Sequence, residues 1–428
     1  MVVNTTSTPQ NIAVVGAGII GVNCALALQL KGHQVTLIDK TGIGEACSKG
    51  NAGHFATEQV FPLAQASLLP KLPRMLVDPL GPVAISPKTM FKSLPWFIQF
   101  LNNMRPKSAK HVTKALKALN VNAIDYYRPL LEIAGVEHLL TEQGSLLTFE
   151  STPIAEIKST QQTFTGHGVK VDLMTLAQAR ELEPALKDNI THVLFFPEVG
   201  HTIDPQKLCI ALAQAAIDRG AKYIQADVLD VQLDDGCSGV VVSRNDAIGN
   251  KSRAERISFD KLVLATGAAS KSLFKKLGYK LPIQAERGYH CALTHHSLVK
   301  RPITSAERKF IMTPMASGLR LAGTVEYADI DAPANYKRAD SLYINAQAIV
   351  ENLPEKQSSP NWMGCRPSLP DSLPVISRAT HHNNLFLAVG HHHLGLTQGA
   401  ITGKLISQLV DNEPTDIDVS PFDIRRFN

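Results

Sequence analysis

Apolar residues open the chain as a short β-branched run and continue at helical spacing. "NIAVV" (Asn11–Val15) carries no charge and reads as a parallel strand covered on both faces. "IIGVNCALALQLKG" repeats apolar positions with helical rhythm and stops at Gly32, a good helix terminus. "HQVTLID" returns to strand, so the three pieces predict a right-handed βαβ unit. The rhythm recurs in "IDPQKLCIALAQAAIDRG", a helix expected to be capped by Asp204, with Pro205 in its first turn and Gly220 at its end. "AKYIQADVLDVQL" and "GVVVS" predict strands. "FDKLVLATGAAS" (Phe259–Ser270) predicts a buried strand entering a small-residue turn. "NLFLAVG", three histidines (His391, His392, His393) and a helix through Val410 predict a last strand–turn–helix unit.

Other stretches have a different character. Residues 60 to 135 look helical and loop-rich. Gly144–Phe149, Glu286–His295, Phe310–Met315 and Leu319–Tyr327 predict antiparallel strands. One α/β domain is therefore expected to be interrupted by a second domain built on a mixed sheet.

The chain's 428 residues are enough for two cores, and 44% hydrophobic with 19% charged residues fits a soluble globular protein. The net charge of +5 is spread without a dense basic block, which argues against nucleic acid as partner and favours a small anionic substrate. Six scattered cysteines form no CxxC pair, consistent with free thiols in a reducing, cytoplasmic compartment. No segment reads as membrane-spanning. Phe91–Lys107 is apolar with basic flanks, which suits a membrane surface or, more readily, a buried helix or partner contact.

Gly16, Gly18 and Gly21 form G-x-G-x-x-G between the first strand and helix. The first glycine allows the tight turn, the second close approach of a pyrophosphate, the third close packing of helix on strand. The helix start offers N–H groups and partial positive charge to phosphates, so Ile19 and Ile20 join the candidate contacts. Asp39, 18 residues after Gly21, can accept ribose hydroxyls, and neutral Thr41 nearby argues for a free 2′-hydroxyl, hence FAD or NAD. Three consecutive histidines on one loop point in different directions and have no neighbouring Cys, Asp or Glu cluster, so no metal site is expected.

Four segments decide between the two dinucleotides: "VVGAGIIGVNCALALQLKGHQVTLIDK", "CSKGNAGHF", "LATGAAS", and "GCRPSLPDSLPVIS" followed by "GHHHLGLTQGAITGKLISQLV". In this order they resemble the FAD-dependent D-amino-acid oxidase superfamily, most closely its bacterial D-amino acid dehydrogenase and D-hydroxyproline dehydrogenase branch. The resemblance implies a Rossmann-type FAD-binding domain (10–60, 196–278 and 362–428) interleaved with an α+β substrate domain (61–195 and 279–361). It implies noncovalent FAD more than a tether through Cys365. It places Lys40, Ser48, Asn51, Ala52, Gly53, Val228, Ala265, Thr266, Gly267 and Gly364 along the cofactor. Leu394, Gly395, Leu396 and Thr397 would offer backbone donors to the flavin's pyrimidine edge from a helix starting near Thr397.

The resemblance also implies chemistry: oxidation of a D-amino or cyclic D-imino acid, cis-4-hydroxy-D-proline among them, with electrons passed to a quinone or respiratory acceptor. A glycine- or sarcosine-type oxidase and a flavin-binding module without turnover are the alternatives. Peripheral contact with the inner membrane face follows from the same analogy. Arg366, a planar fork of permanent charge, would hold the substrate carboxylate, or else pair structurally with Asp371. Tyr289 would hydrogen-bond the substrate, or else pack in the core; Arg287 and His290 are weaker candidates. His54 or His391 could accept a proton, and His391 and His393 are the histidines expected to face the site.

Overall fold

A computed structural model describes residues 8–66, 69, 81–233, 238–244, 254–294, 298–356 and 361–427. Its dinucleotide half is a six-stranded sheet in the order Lys222–Gln225, Gln34–Asp39, Asn11–Val15, Lys261–Leu264, Leu385–Val389, Val375–Arg378. The first five strands are parallel and the last is antiparallel. Alternation explains why these runs are apolar throughout. Ile12 and Val14 face helices Ile19–Leu30, Pro205–Ile217 and Gly395–Asp411. Ala13 and Val15 face a three-stranded sheet (Asp227–Gln232, Ser238–Ser243, Glu255–Phe259) and helix Ser270–Lys276. Asp204 caps its helix as expected, accepting from the N–H groups of Gln206 and Lys207.

Helices Ile19–Leu30 and Gly395–Asp411 cross closely because the second carries glycines. A Cβ on Gly403 would lie 2.5 Å from the Asn23 carbonyl oxygen, and one on Gly399 would lie 2.3 Å from the Tyr127 hydroxyl.

The second half is a nine-stranded mixed sheet. Its main path runs Trp362–Ser368, Gln284–Thr294, Gly318–Tyr327, Phe310–Met315, Ile303–Ser305, Ser145–Phe149, His192–Phe196, Asp172–Thr175, and Val83–Ile85 pairs alongside Gly318–Tyr327. Helix Lys337–Gln347 covers one face, over a core containing Tyr289, Cys291 and Leu321. Here the expected boundary at 362 is corrected: Trp362–Ser368 belongs to this sheet, with Glu286 opposite Arg366 and Gly288 opposite Gly364. Residues 60–135 contain the expected helices, including Leu94–Asn102, Pro106–Asn120 and Ala123–Ala134. His295, the expected end of one strand, lies outside the described residues.

A small sheet of His54–Phe55, Gly200–Thr202 and Leu140–Thr141 joins the two halves, and His54 sits opposite His201 in it.

Candidate active site

The glycine turn is built for close approach. Gly16 adopts φ +104°, and a Cβ there would meet the Ala265 carbonyl oxygen at 2.4 Å. A Cβ on Gly21 would fall 1.7 Å from the Gly16 oxygen, which leaves no room for any side chain. Helix Ile19–Leu30 has no acidic residue in its first turn and no side-chain cap from Gly18. Ser48 reaches its start, its hydroxyl accepting from Ile19 N–H at 2.9 Å. The Ile20 N–H has no acceptor inside the helix, so the positive end stays open to an anion.

Asp39 ends its strand where expected. Its Oδ1 accepts from Thr41 N–H, Thr41 hydroxyl and Gly42 N–H, and its Oδ2 from Ala17 N–H at 2.8 Å. A carboxylate oxygen accepts about two bonds, so Oδ2 retains capacity for a ribose hydroxyl.

These groups line one cavity of about 640 Å³ that runs between the two halves. Small-molecule and cofactor sites span about 300–1,000 Å³. Gly16, Gly18, Ile19, Ile20, Asp39, Lys40, Ser48, Asn51, Val228, Ala265, Thr266, Gly267, Gly364, Gly395 and Leu396 all line it. The steric cradle and open helix end fit a dinucleotide pyrophosphate.

Five expected contacts sit elsewhere. Gly21 packs on Gly16. Ala52 is not among the lining residues. Gly53, at φ +74°, presses against the Thr202 carbonyl oxygen, where a Cβ would be 2.6 Å away. Leu394 is corrected as a donor, because its N–H bonds to the His391 oxygen at 2.9 Å. The helix begins at Gly395, two residues before the expected start, and Thr397 turns its hydroxyl to accept from Ala56 N–H.

The side chains expected to carry chemistry separate by strand alternation. Arg366 points to the face it shares with Glu286, and its Nη1 donates to Glu286 Oε1 at 2.8 Å. Asp371, the alternative structural partner for Arg366, bonds Arg426 instead, at 2.6 Å. Both Glu286 oxygens are engaged, since Ser368 donates to the other one at 2.6 Å. Burial opposes its charge, yet Arg366, Ser368 and the rings of His392 and His393 outweigh this and hold its acid range below the usual one. The Arg366 side chain keeps 23% of its exposure and Glu286 only 4%, so a ligand can reach the guanidinium and not the acid.

Tyr289 is corrected as a substrate-side residue. One position out of phase with Gly288 and His290, it lies in the core, donating to Glu326 Oε2 at 2.5 Å and accepting from Asn335 N–H. Burial pushes its phenol to about 12. Arg287 shares that face and pairs with Glu326 at 3.2 Å. His290 faces the other way, stacked on Trp362 and bonded to the Gly50 carbonyl.

Of the three histidines, His391 and His392 line the cavity. His391 contacts the Thr402 hydroxyl, and burial drives its basicity down to about 3. It is corrected as a proton acceptor, because an imidazole that weak stays neutral. His392, at φ +53°, accepts Leu369 N–H on Nε2, which puts its proton on Nδ1. His393 is pushed down to about 4 by burial, and its ring feels the charges of Glu286, Arg366 and His54. The side chains of Arg366, His54 and His393 are not among those that line the cavity, which Gly364, Cys365 and Pro367 border from the arginine's strand. Among the described residues, no three His, Cys, Asp or Glu side chains converge as metal ligands.

Cys365 lines the cavity, and the Cys47 thiol donates to its carbonyl at 2.8 Å. Burial raises the Cys47 thiol to about 12, so it stays protonated.

No local motif in the sequence gives Glu286 or Glu58 a functional role. Glu286, Gly288 and His290 share one phase of the strand pattern. Glu58 stands four residues after His54, and the His54 Nε2 to Glu58 Oε1 distance is 2.9 Å.

Comparison with known proteins adds three findings. A family model described as FAD dependent oxidoreductase (DAO) matches residues 11–409. A protein of Bradyrhizobium diazoefficiens named D-amino-acid oxidase is 33% identical over 98% of this chain and 99% of its own length. One of Vibrio atlanticus named D-amino acid dehydrogenase is 26% identical over 98% and 100%. Among solved structures, glycine oxidase from Geobacillus kaustophilus superposes with a TM-score of 0.74 at 21% identity, covering 98% of this chain and 99% of that one.

Proposed function

Because the chain belongs to the DAO family of FAD-dependent oxidoreductases, we propose that it oxidises the Cα–N bond of a D-amino or cyclic D-imino acid. Cis-4-hydroxy-D-proline is the favoured cyclic candidate. Bound FAD supplies the hydride acceptor. The remaining work falls to this chain. Arg366 holds the substrate carboxylate with the fork that Glu286 fixes in place. His54 takes a proton from the amine. The neutral ring of His391 lines the cavity without adding charge that would compete with Arg366. Acyclic products lose ammonia to water and leave as 2-oxo acids.

The observation that carries this reading is the part-exposed Arg366, held by a buried acid, on a strand that borders the dinucleotide cavity. A panel of D- and L-amino acids, cis-4-hydroxy-D-proline, sarcosine and glycine, mixed anaerobically with the yellow protein, tests it. Bleaching by D-amino or D-imino acids supports the reading; bleaching by glycine or sarcosine alone, or by none, contradicts it.

Electrons are proposed to leave for a quinone or respiratory acceptor at a membrane surface. Among the described residues no helix is long and apolar enough to cross a bilayer. Phe91, Leu94, Ile98 and Leu101 are exposed, however, beside exposed Lys88, Arg105 and Lys107. That pattern suits a peripheral contact with anionic lipid. Reduction of a quinone analogue without hydrogen peroxide release is expected; peroxide in stoichiometric yield contradicts it.

A further inference from the structure

Glu58 is a carboxylate where a stable fold has little use for one. It is 6% exposed, and its contact with His54 leaves Oε2 buried with no partner. An unsatisfied buried polar group destabilises a fold, and more so when charged. His54 shows the matching deficit: Nε2 faces Glu58, and Nδ1 is buried with no partner. An ionised carboxylate only accepts, so the imidazole must place its proton on Nε2 and its lone pair on Nδ1.

The surroundings separate His54 from the other histidines. His201, opposite it on strand Gly200–Thr202, is pushed down to about 4 by burial, with His54 and Arg301 adding to the effect. His393, from the turn after Leu385–Val389, is likewise near 4. Both stay neutral near pH 7. The other charges that bear on these rings are internally paired, Arg301 with Glu183 and Arg366 with Glu286. Of these three rings, only His54 has a carboxylate on its far nitrogen.

We infer that Glu58 is a positioning residue, and that the Glu58–His54 pair deprotonates the substrate ammonium through His54 Nδ1. This rests on the reading above that the substrate is an amino or imino acid. In the step, a substrate N–H bond breaks and its electron pair stays on nitrogen. The proton forms a bond to Nδ1, and the Glu58 carboxylate balances the imidazolium charge. The proton returns to solvent after product leaves, so no oxidant enters this step. The role resembles the orienting acid of a catalytic triad in logic, with the amine in place of a hydroxyl.

Holoenzyme with Glu58→Gln or His54→Gln, checked for flavin content and melting temperature, is to be assayed from pH 7 to pH 10 on the best substrate of the panel. Glu58→Gln should lower kcat/KM about 100-fold at pH 7 and less than about three-fold at pH 10, where solvent supplies the neutral amine. The double variant should be no worse than His54→Gln, since the two groups act as one unit. A deficit equal at all pH values, or no deficit, overturns the pair. Wild-type enzyme tests it without any substitution. Its kcat/KM should change less than about three-fold from pH 7.5 to 9.5, whereas a rise of about ten-fold per unit means solvent does the deprotonation. Wild type that no panel member reduces overturns the substrate reading and the pair together. Wild type that is reduced, but with pH-independent deficits in both variants, overturns the pair alone.

Discussion

The dinucleotide cavity and the cluster around Arg366, on a strand that borders it, are made of different materials. In the dinucleotide region the contacts are backbone: a left-handed Gly16, a Gly21 with no room for a Cβ, and an open helix start. Around Arg366 they are side chains, each held by a partner from another strand or turn: Arg366 by Glu286, Glu286 by Ser368, His392 by Leu369. A backbone site tolerates almost no change in shape and needs little charge. A side-chain site can be emptied of one group while its frame stands. The two regions should therefore fail differently.

The largest effect is expected in the backbone region. Gly21→Ala puts a methyl carbon 1.7 Å from a carbonyl oxygen. Overpacking of this kind costs about 1–3 kcal/mol or more, and here the strain falls on the pyrophosphate cradle itself. The purified variant should be colourless, read directly from the flavin absorbance. A fully yellow variant would mean that the turn does not shape the cofactor site.

Arg366→Ala should separate the two regions. Flavin content should stay normal while kcat/KM for the amino acid falls. Loss of a charged anchor that leaves a carboxylate unpaired costs about 2–5 kcal/mol, roughly 30- to 5,000-fold in rate. Equal loss of flavin and activity would join the two regions into one unit.

These two variants also mark what was legible in the sequence. Glycine spacing, the acid ending the second strand and the apolar runs report backbone geometry locally, so the dinucleotide region could be read position by position. The side-chain cluster depends on which strands become neighbours. Nothing in "ERGYH" alone says that "GCRPS" will lie beside it, so the local sequence offers Arg366 the nearby Asp371 as partner rather than Glu286, which is near only in space. Strand phase could have warned against Tyr289, which alternates away from Gly288 and His290. The boundary at 362 failed for the same reason: a short strand with glycine and arginine gives no local sign of which sheet it will join.

Acid should destabilise the histidine-lined region before the glycine turn. His201, His290 and His393 are driven to about 4 and His391 to about 3, burial being the first cause in each. Their native forms are neutral, while the unfolded chain takes up protons below about 6.5. Stability contributed by these rings is thus complete above about pH 6.5 and is lost as pH falls toward about 4, by up to about 1.4 kcal/mol per unit per ring. Urea midpoints measured from pH 8 to pH 4.5 should fall steadily below 6.5. A flat profile would show that these rings are not buried neutral.

The smallest effect is expected from Tyr289→Phe. It removes the bond donated to Glu326 and the one accepted from Asn335 N–H, together worth about 1–3 kcal/mol of stability, and should leave kcat and KM within about two-fold. A large loss of activity at unchanged stability would return Tyr289 to the substrate side.

The central claim is that Arg366 binds an organic carboxylate at the edge of the dinucleotide cavity. A crystal structure of the FAD-loaded protein with a non-oxidisable carboxylate, such as a 2-substituted benzoate, tests it most directly. The carboxylate should lie within about 3 Å of the free guanidinium nitrogens of Arg366, with Glu286 still on Nη1. A ligand held elsewhere, with Arg366 bonded to Glu286 alone, would contradict the account.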